Sequence, residues 1–244
     1  MKNRLLYGDC PLRMKEIPDS SVDMLFADLP YGTTKCKWDT PIDLGRFWQE
    51  AHRVVKENGA IVLFAQTPFD KFLGASNIGE LRYEWIWEKT EATGHLNANR
   101  MPMKAHENIL VFYRKLPTYN PQKTFGHKRK VSMDFHKINS TKSDCYGEYG
   151  LTSYNSTERF PRSVLRGPTD KQKKIRGAAV KPVWLCEQIV KTYTNEGDTV
   201  LDCCMGTGSI GVACACVSRN FIGIEKDLER FMLASQRIKR IDHG

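Results

Sequence analysis

The sequence predicts an α/β fold: an open sheet of seven strands with helices on both faces, into which a strongly basic segment is inserted. Three observations predict it. Short apolar runs alternate with amphipathic stretches, as in β–α units. A glycine-rich loop near the end of the chain stands between a strand and a helix. Thirdly, the positive charge is confined to one segment. The chain has 244 residues, 41% hydrophobic and 27% charged, enough to bury a substantial core.

Five strands are predicted before the basic segment, at residues 4–8, 22–28, 60–65, 83–88 and 108–114. A helix over 44–56 follows from the spacing of Leu44, Phe47, Trp48, Ala51, Val54 and Val55, with Asn58-Gly59 as its stop signal. Two strands are predicted after the segment, at 199–202 and 221–225, with helices over 182–193, 209–217 and 228–240. There are no internal repeats and no low-complexity stretches.

Net charge is +9, and its distribution says more than its size. Residues 115–174 hold 13 Lys and Arg against 5 acids, whereas the rest of the chain holds 24 against 23. The same segment interleaves Tyr119, Phe125, Phe135, Tyr146, Tyr149, Tyr154 and Phe160 with small polar residues. Periodicity is weak there, so loops and short irregular strands are expected. A solvated insertion and a nucleic-acid surface fit the charge equally well. The division is therefore 1–114, 115–175 (the insertion) and 176–244. The densest basic cluster, Lys128-Arg129-Lys130, is the candidate phosphate contact.

No apolar run reaches the roughly 18 residues that span a bilayer, and the first residues lack the apolar stretch of a signal peptide. A cytoplasmic protein is expected, its eight cysteines reduced. Their spacings offer no paired zinc knuckles, so they read as small buried side chains. His106-Glu107 begins like H-E-x-x-H, but Leu110 occupies the second histidine position. A turn or cap before a strand is expected there, and no metal.

In Val200-Leu201-Asp202-Cys203-Cys204-Met205-Gly206-Thr207-Gly208-Ser209-Ile210-Gly211, the glycines match G-x-G-x-x-G, with Glu225 ending the next strand. The glycines let backbone approach a ligand, the helix N-terminus offers free N–H groups, and Glu225 is placed to accept from ribose hydroxyls. NAD would fit this motif alone. Against it, Asp202 would confront a pyrophosphate, whereas it suits a ligand carrying an ammonium group. Only one further strand follows before Gly244, so the rest of the sheet must come from the N-terminal part, in permuted order. Ala27-Asp28-Leu29-Pro30-Tyr31-Gly32 ends the second strand, on the sheet edge where open α/β proteins bind ligands.

Together these segments resemble the amino-group DNA methyltransferases, which modify adenine N6 or cytosine N4. Their signature is D/N/S-P-P-Y/F and their cofactor loop D-P-F-x-G-x-G-T. The order catalytic motif, recognition region, cofactor loop is that of the β class. The resemblance runs from Gly8-Asp9 through Ser21-Val22-Asp23, Asp28 to Tyr31, Arg53 to Gly59, 104–113 and Lys181-Pro182 to 195–225. The chain departs from the pattern at Leu29, which replaces the first proline, and at Cys203-Cys204, which replace Pro-Phe. Of H-P-T-x-K-P, only Lys181-Pro182 remains, after Gly177-Ala178-Ala179-Val180.

The resemblance implies a three-layer Rossmann-like methyltransferase fold with a seven-stranded mixed sheet, S-adenosyl-L-methionine as cofactor and double-stranded DNA as substrate. Dimers are common in the family. Asp28 and the Leu29 carbonyl would accept the target amine's hydrogens, Pro30 would preset the backbone, and Tyr31 would stack on the base. Asp9, Lys181, Asp202, Gly206, Thr207, Gly208 and Glu225 would meet the cofactor. The target atom is hidden in a duplex, so the base must be everted, and the basic insertion would hold the phosphates. Aspartate at Asp28 favours adenine N6 over cytosine N4. A catalytically silent DNA-binding homologue is the alternative from another class, and an NAD oxidoreductase a third. No Pro-Cys dipeptide, the mark of C5-cytosine enzymes, occurs. Cys36 reads as packing, Lys35 and Lys37 as a solvated face or a DNA contact, and Trp38-Asp39 as a border of the pocket or core.

Overall fold

In a computed structural model, the described residues are 2–32, 39–132, 142–143, 147–148, 153–170 and 180–242. Lys35, Cys36, Lys37 and Trp38, the insertion's Phe135, Tyr146 and Tyr149, and Gly177 to Ala179 lie outside them. The chain divides into two compact units. One comprises Met1–Asn120 with Ser163–Gly244, and the other is Pro121–Arg162.

The larger unit runs β1 (Asn3–Tyr7), α1 (Cys10–Met14), β2 (Val22–Ala27), α2 (Leu44–Val54), β3 (Val55–Ala65), α3 (Phe69–Ser76), β4 (Leu81–Thr93) and β5 (Lys104–Phe112). In the smaller unit lie β6 (Lys130–Ser132), β7 (Lys142–Ser143), β8 (Gly147–Glu148) and β9 (Tyr154–Ser156). The larger unit resumes with β10 (Val164–Gly167), α4 (Val183–Tyr193), β11 (Thr199–Asp202), α5 (Ser209–Cys216), β12 (Asn220–Glu225) and α6 (Leu228–Asp242).

The sheet order is β1-β12-β11-β2-β3-β5-β4-β10. β5 is antiparallel to both β3 and β4, and every other neighbouring pair is parallel. The sheet is therefore mixed, as expected, but has eight strands rather than seven. The eighth, β10, pairs Val164 to Gly167 with Ile86 to Lys89. Its four residues lie between Pro161 and Pro168 inside the stretch read as insertion, too short for a period-2 signal.

Side-chain alternation splits the core into two layers. Met24, Phe26, Val62, Phe64, Val200 and Phe221 face α4, α5 and α6 on one side of the sheet. Leu25, Ala27, Ile61, Leu63, Leu201 and Ile224 face α1, α2 and α3 on the other. Helix α5, SIGVACAC, buries Ser209 to Ala215 throughout, so it has no polar face to show.

The predicted stop at Asn58-Gly59 is not where α2 ends. The helix stops at Val54, and β3 starts at the next residue. Gly59 serves a close approach of strands instead: a Cβ there would lie 2.8 Å from the Asp23 carbonyl oxygen, beside the register shift between Val22 and Met24. Asp23 then ties three strands, accepting from Thr199 N at 2.9 Å and from Lys56 Nζ at 2.5 Å.

The smaller unit holds the short strands expected. β6 pairs with β9 and β7 with β8, both antiparallel. Lys123 Nζ lies 2.9 Å from Glu158 and 4.9 Å from the centroid of Phe160. Among the described residues, no helix is long and apolar enough to cross a membrane.

Candidate active site

Two strands of the larger unit carry the chemistry-bearing loops. β2 and β11 are parallel neighbours, pairing Met24 with Val200 and Leu25 with Leu201. Asp28 follows the carboxyl end of one and Asp202 ends the other, so both carboxylates reach the same edge of the sheet. They border one cavity of about 260 Å³ together with Asp9, Leu29, Pro30, Tyr31, Lys181, Gly206, Thr207 and Glu225. The catalytic and cofactor segments read from sequence thus converge, with one exception.

The exception is Gly208, which does not border the cavity. It caps α5 at φ +79°, and a Cβ there would stand 2.9 Å from the Ala234 Cβ of α6. Its lack of a side chain serves the turn and helix packing. Gly206, also left-handed at φ +52°, has no atom within 4 Å of where a Cβ would lie. Its amide donates to Glu225 Oε2 at 2.9 Å, and the Asp227 amide donates to Oε1 at 2.8 Å. Glu225 therefore ties the glycine loop to the start of α6 and keeps further lone pairs for a ligand. The Thr207 hydroxyl and carbonyl accept from Arg237 Nη1 at 2.9 and 2.6 Å.

Asp202 is buried and accepts from the Cys204 amide at 3.1 Å. Burial pushes its pKa well above the usual carboxylate range, with Asp28 and Glu225 adding to the effect. Such a group gains from a cation placed in the cavity. Asp9 caps α1, its carbonyl accepting from the amides of Leu12 and Arg13.

Around Asp28 lies a charge network only partly visible in sequence. Tyr31 Oη donates to Asp28 Oδ1 at 2.7 Å, and Lys181 Nζ lies 3.0 Å from Oδ2. Lys181 also donates to Glu107 Oε2 at 2.8 Å, while Lys89 Nζ lies 2.6 Å from Glu107 Oε1. The four charges run Asp28, Lys181, Glu107, Lys89 and cancel overall. Lys181, predicted to meet the cofactor, has its ammonium committed to these two carboxylates.

Burial raises the Asp28 pKa; Lys181 and the Tyr31 hydroxyl draw it down but do not reverse the shift. Burial alone would lower the Lys181 pKa, yet Asp28, Tyr31 and Glu107 raise it well above its ordinary value. Glu107 ends below the usual range because Lys181 and Lys89 outweigh its burial.

Glu107 is not in the turn or cap expected of His106-Glu107, for both residues lie within β5. The dipeptide was noticeable, but as half of a zinc motif it suggested the wrong chemistry. Lys89, buried in β4, gave no sequence signal. Tyr31 stacks on Phe69 with centroids 5.0 Å apart, so one ring face is already covered. Asp39 borders the cavity and accepts from the Gly32 amide at 2.7 Å.

Of the cysteines, Cys10, Cys203 and Cys204 bring their sulfurs within 4.8 Å of one another. Sequence spacing hid this cluster, because Cys10 comes from the opposite end of the chain. Lys128, Arg129 and Lys130 are exposed in the smaller unit, where Arg129 Nε donates to Asn155 Oδ1 at 2.6 Å.

The family profile described as DNA methylase matches residues 22–236. The Type II methyltransferase M.HpaI of Haemophilus parainfluenzae is 25% identical over 257 residues, covering 98% of this chain and 74% of that protein. The DNA adenine methyltransferase YhdJ of Escherichia coli (strain K12) is 25% identical, over 98% of this chain and 83% of its own length. The crystal structure of an M1.HpyAVI–SAM complex superposes with a TM-score of 0.64 at 22% identity, covering 96% of this chain and 99% of that one. That last likeness is one of fold.

Proposed function

Since the chain belongs to the N6/N4 DNA methylase family, we propose that it transfers a methyl group from S-adenosyl-L-methionine to adenine N6 at a specific site in double-stranded DNA. One observation carries the reading: Asp28 and Asp202 leave adjacent parallel strands and open onto a single cavity.

The residues present fit the cofactor. Asp202, buried and raised in pKa, complements an ammonium group; Glu225 complements a ribose; Gly206 leaves backbone free for close approach. Asp9 completes the set at the start of α1. Thr207 borders the same space, although its side chain is held by Arg237. When bound, the cofactor supplies an electrophilic methyl group on a sulfonium sulfur.

The protein's part is to turn a poor nucleophile into an adequate one. An exocyclic amine has its lone pair delocalised into the ring. Asp28 and the Leu29 carbonyl accept its two hydrogens, which draws the nitrogen toward tetrahedral geometry and stabilises charge developing there. Pro30 presets that backbone. The Tyr31 hydroxyl holds Asp28 Oδ1, and the ring's stacking on Phe69 fixes the plane against which a base packs. Lys181 draws the Asp28 pKa back down against its burial, and Glu107 with Lys89 keeps Lys181 in position. Lys181 thus acts here on the catalytic carboxylate rather than on the cofactor.

The basic insertion, with Lys128, Arg129 and Lys130 exposed, supplies phosphate contacts, and the base is everted into the cavity. Aspartate in the motif is the feature that favours adenine.

Incubating the protein with DNA and cofactor, then digesting the DNA to nucleosides for mass detection, tests this. N6-methyladenine is expected. N4-methylcytosine alone would overturn the choice of base. Tight DNA binding with no methylated nucleoside would favour the silent homologue.

A further inference from the structure

Three thiols on the cavity wall take no part in the reaction just described. Cys10 begins α1, and Cys203 and Cys204 form the turn after β11. All three border the cavity, with Cys10 and Cys203 buried and Cys204 half-buried. Their sulfurs lie within 4.8 Å of one another. A tetrahedral site with metal–sulfur bonds of about 2.3 Å holds its sulfurs roughly 3.8 Å apart. Small side-chain adjustments therefore suffice to close the trio on an ion.

The surroundings favour a cation. Asp9 and Glu50 act electrostatically on Cys10, and Asp202 on Cys204. The turn is held in place, since the Cys204 amide donates to Asp202. Three thiolates select soft d¹⁰ ions over magnesium or calcium, which require oxygen ligands.

We propose that Cys10, Cys203 and Cys204 form a three-thiolate site for zinc, its fourth coordination position turned to the cavity, and that an ion there excludes the cofactor. Three thiols release their protons to solvent as the ion binds, and no electron is transferred. The exclusion rests on the cofactor occupying this cavity, whereas the metal site does not.

Reduced, metal-free, full-length protein is titrated with Cd²⁺ while the thiolate-to-cadmium absorption in the ultraviolet is followed. The band is expected to saturate at one ion per chain and to be reversed by Zn²⁺. It should persist in Cys216→Ser, which alters an exposed cysteine, and disappear in Cys10→Ser and in Cys204→Ser. Half-buried Cys204 is the milder site, and thermal melting checks that both variants are folded. Calorimetry with S-adenosylhomocysteine should show at least tenfold weaker binding once one equivalent of zinc is present. That weakening should vanish in Cys204→Ser.

A missing band, or one undiminished in folded Cys204→Ser, overturns the metal site. A band that behaves as expected with unchanged S-adenosylhomocysteine affinity overturns the exclusion alone. Failure of metal-free protein to bind S-adenosylhomocysteine would count against the proposed function, and the cadmium titration would still decide the site.

Discussion

Lys181→Met removes the cation from Asp28 at little change in volume. At an effective dielectric of about 20, charges 3.0 Å apart attract by about 5.5 kcal/mol. The Asp28 side chain is 26% exposed and that of Lys181 8%, so water recovers part of this. Glu107 retains Lys89 at 2.6 Å. A loss of about 3 kcal/mol remains, the lower end of what removing one partner of a buried pair costs. In a chain of this size that lowers Tm by about 6–12 °C. The Asp28 pKa, already raised by burial, rises further without Lys181. The unpaired charge destabilises above that pKa and not below it. The gap in Tm between wild type and variant is therefore widest above that pKa and closes as the pH falls through it. If half of that loss is felt at the reacting carboxylate, kcat falls about tenfold at pH values below the raised Asp28 pKa and recovers as the pH rises through it. Thermal scans and methyl-transfer rates across a pH series read both effects. An unchanged pH profile together with a Tm within about 1 °C of wild type would refute the role given to Lys181.

Asp28→Ala should lower transfer by about 10³-fold while S-adenosylhomocysteine binding, measured by calorimetry, survives. Loss of both would make Asp28 structural. Reversing Lys128, Arg129 and Lys130 to Glu should weaken DNA binding across all sequences and flatten the log–log salt dependence by about 2.7; an unchanged slope removes these residues from the phosphate contacts. Gly208→Ala places a methyl group 2.9 Å from the Ala234 Cβ at φ +79°, so denaturant melts should show a loss of at least about 1–2 kcal/mol. Equal stability would mean that α6 yields freely.

What could be read from the sequence was what repeats a local rule. β11, with its Thr199–Asp202 bounds, and the loop after it are legible because strand, glycines and helix follow within a dozen residues. Asp28 to Tyr31 are legible through a resemblance carried by four consecutive residues. The network behind Asp28 follows no such rule. Glu107 and Lys89 lie on neighbouring antiparallel strands and meet Lys181 only through the sheet order. A lysine such as Lys89 in an alternating strand looks solvent-facing until its partner is known. Asn58-Gly59 misled because a glycine after a helix signals a stop as readily as it permits two strands to crowd together. The thiol trio was hidden for the reason Glu107 was: its members are distant in sequence.

The insertion departs from and returns to well-fastened points. The Asn120 amide donates to the Thr192 carbonyl at 2.7 Å, and the Ser163 carbonyl accepts from the Ile86 amide at 2.8 Å, next to β10 on the sheet edge. The pairings of β6 with β9 and β7 with β8 close within this stretch, so its residues can be exchanged for another length or composition without breaking a hydrogen bond of the eight-stranded sheet. Under the role proposed for the insertion, target preference and chemistry are thereby open to separate inheritance. A new segment grafted between Asn120 and Ser163 would meet the loops after β2 and β11 unchanged.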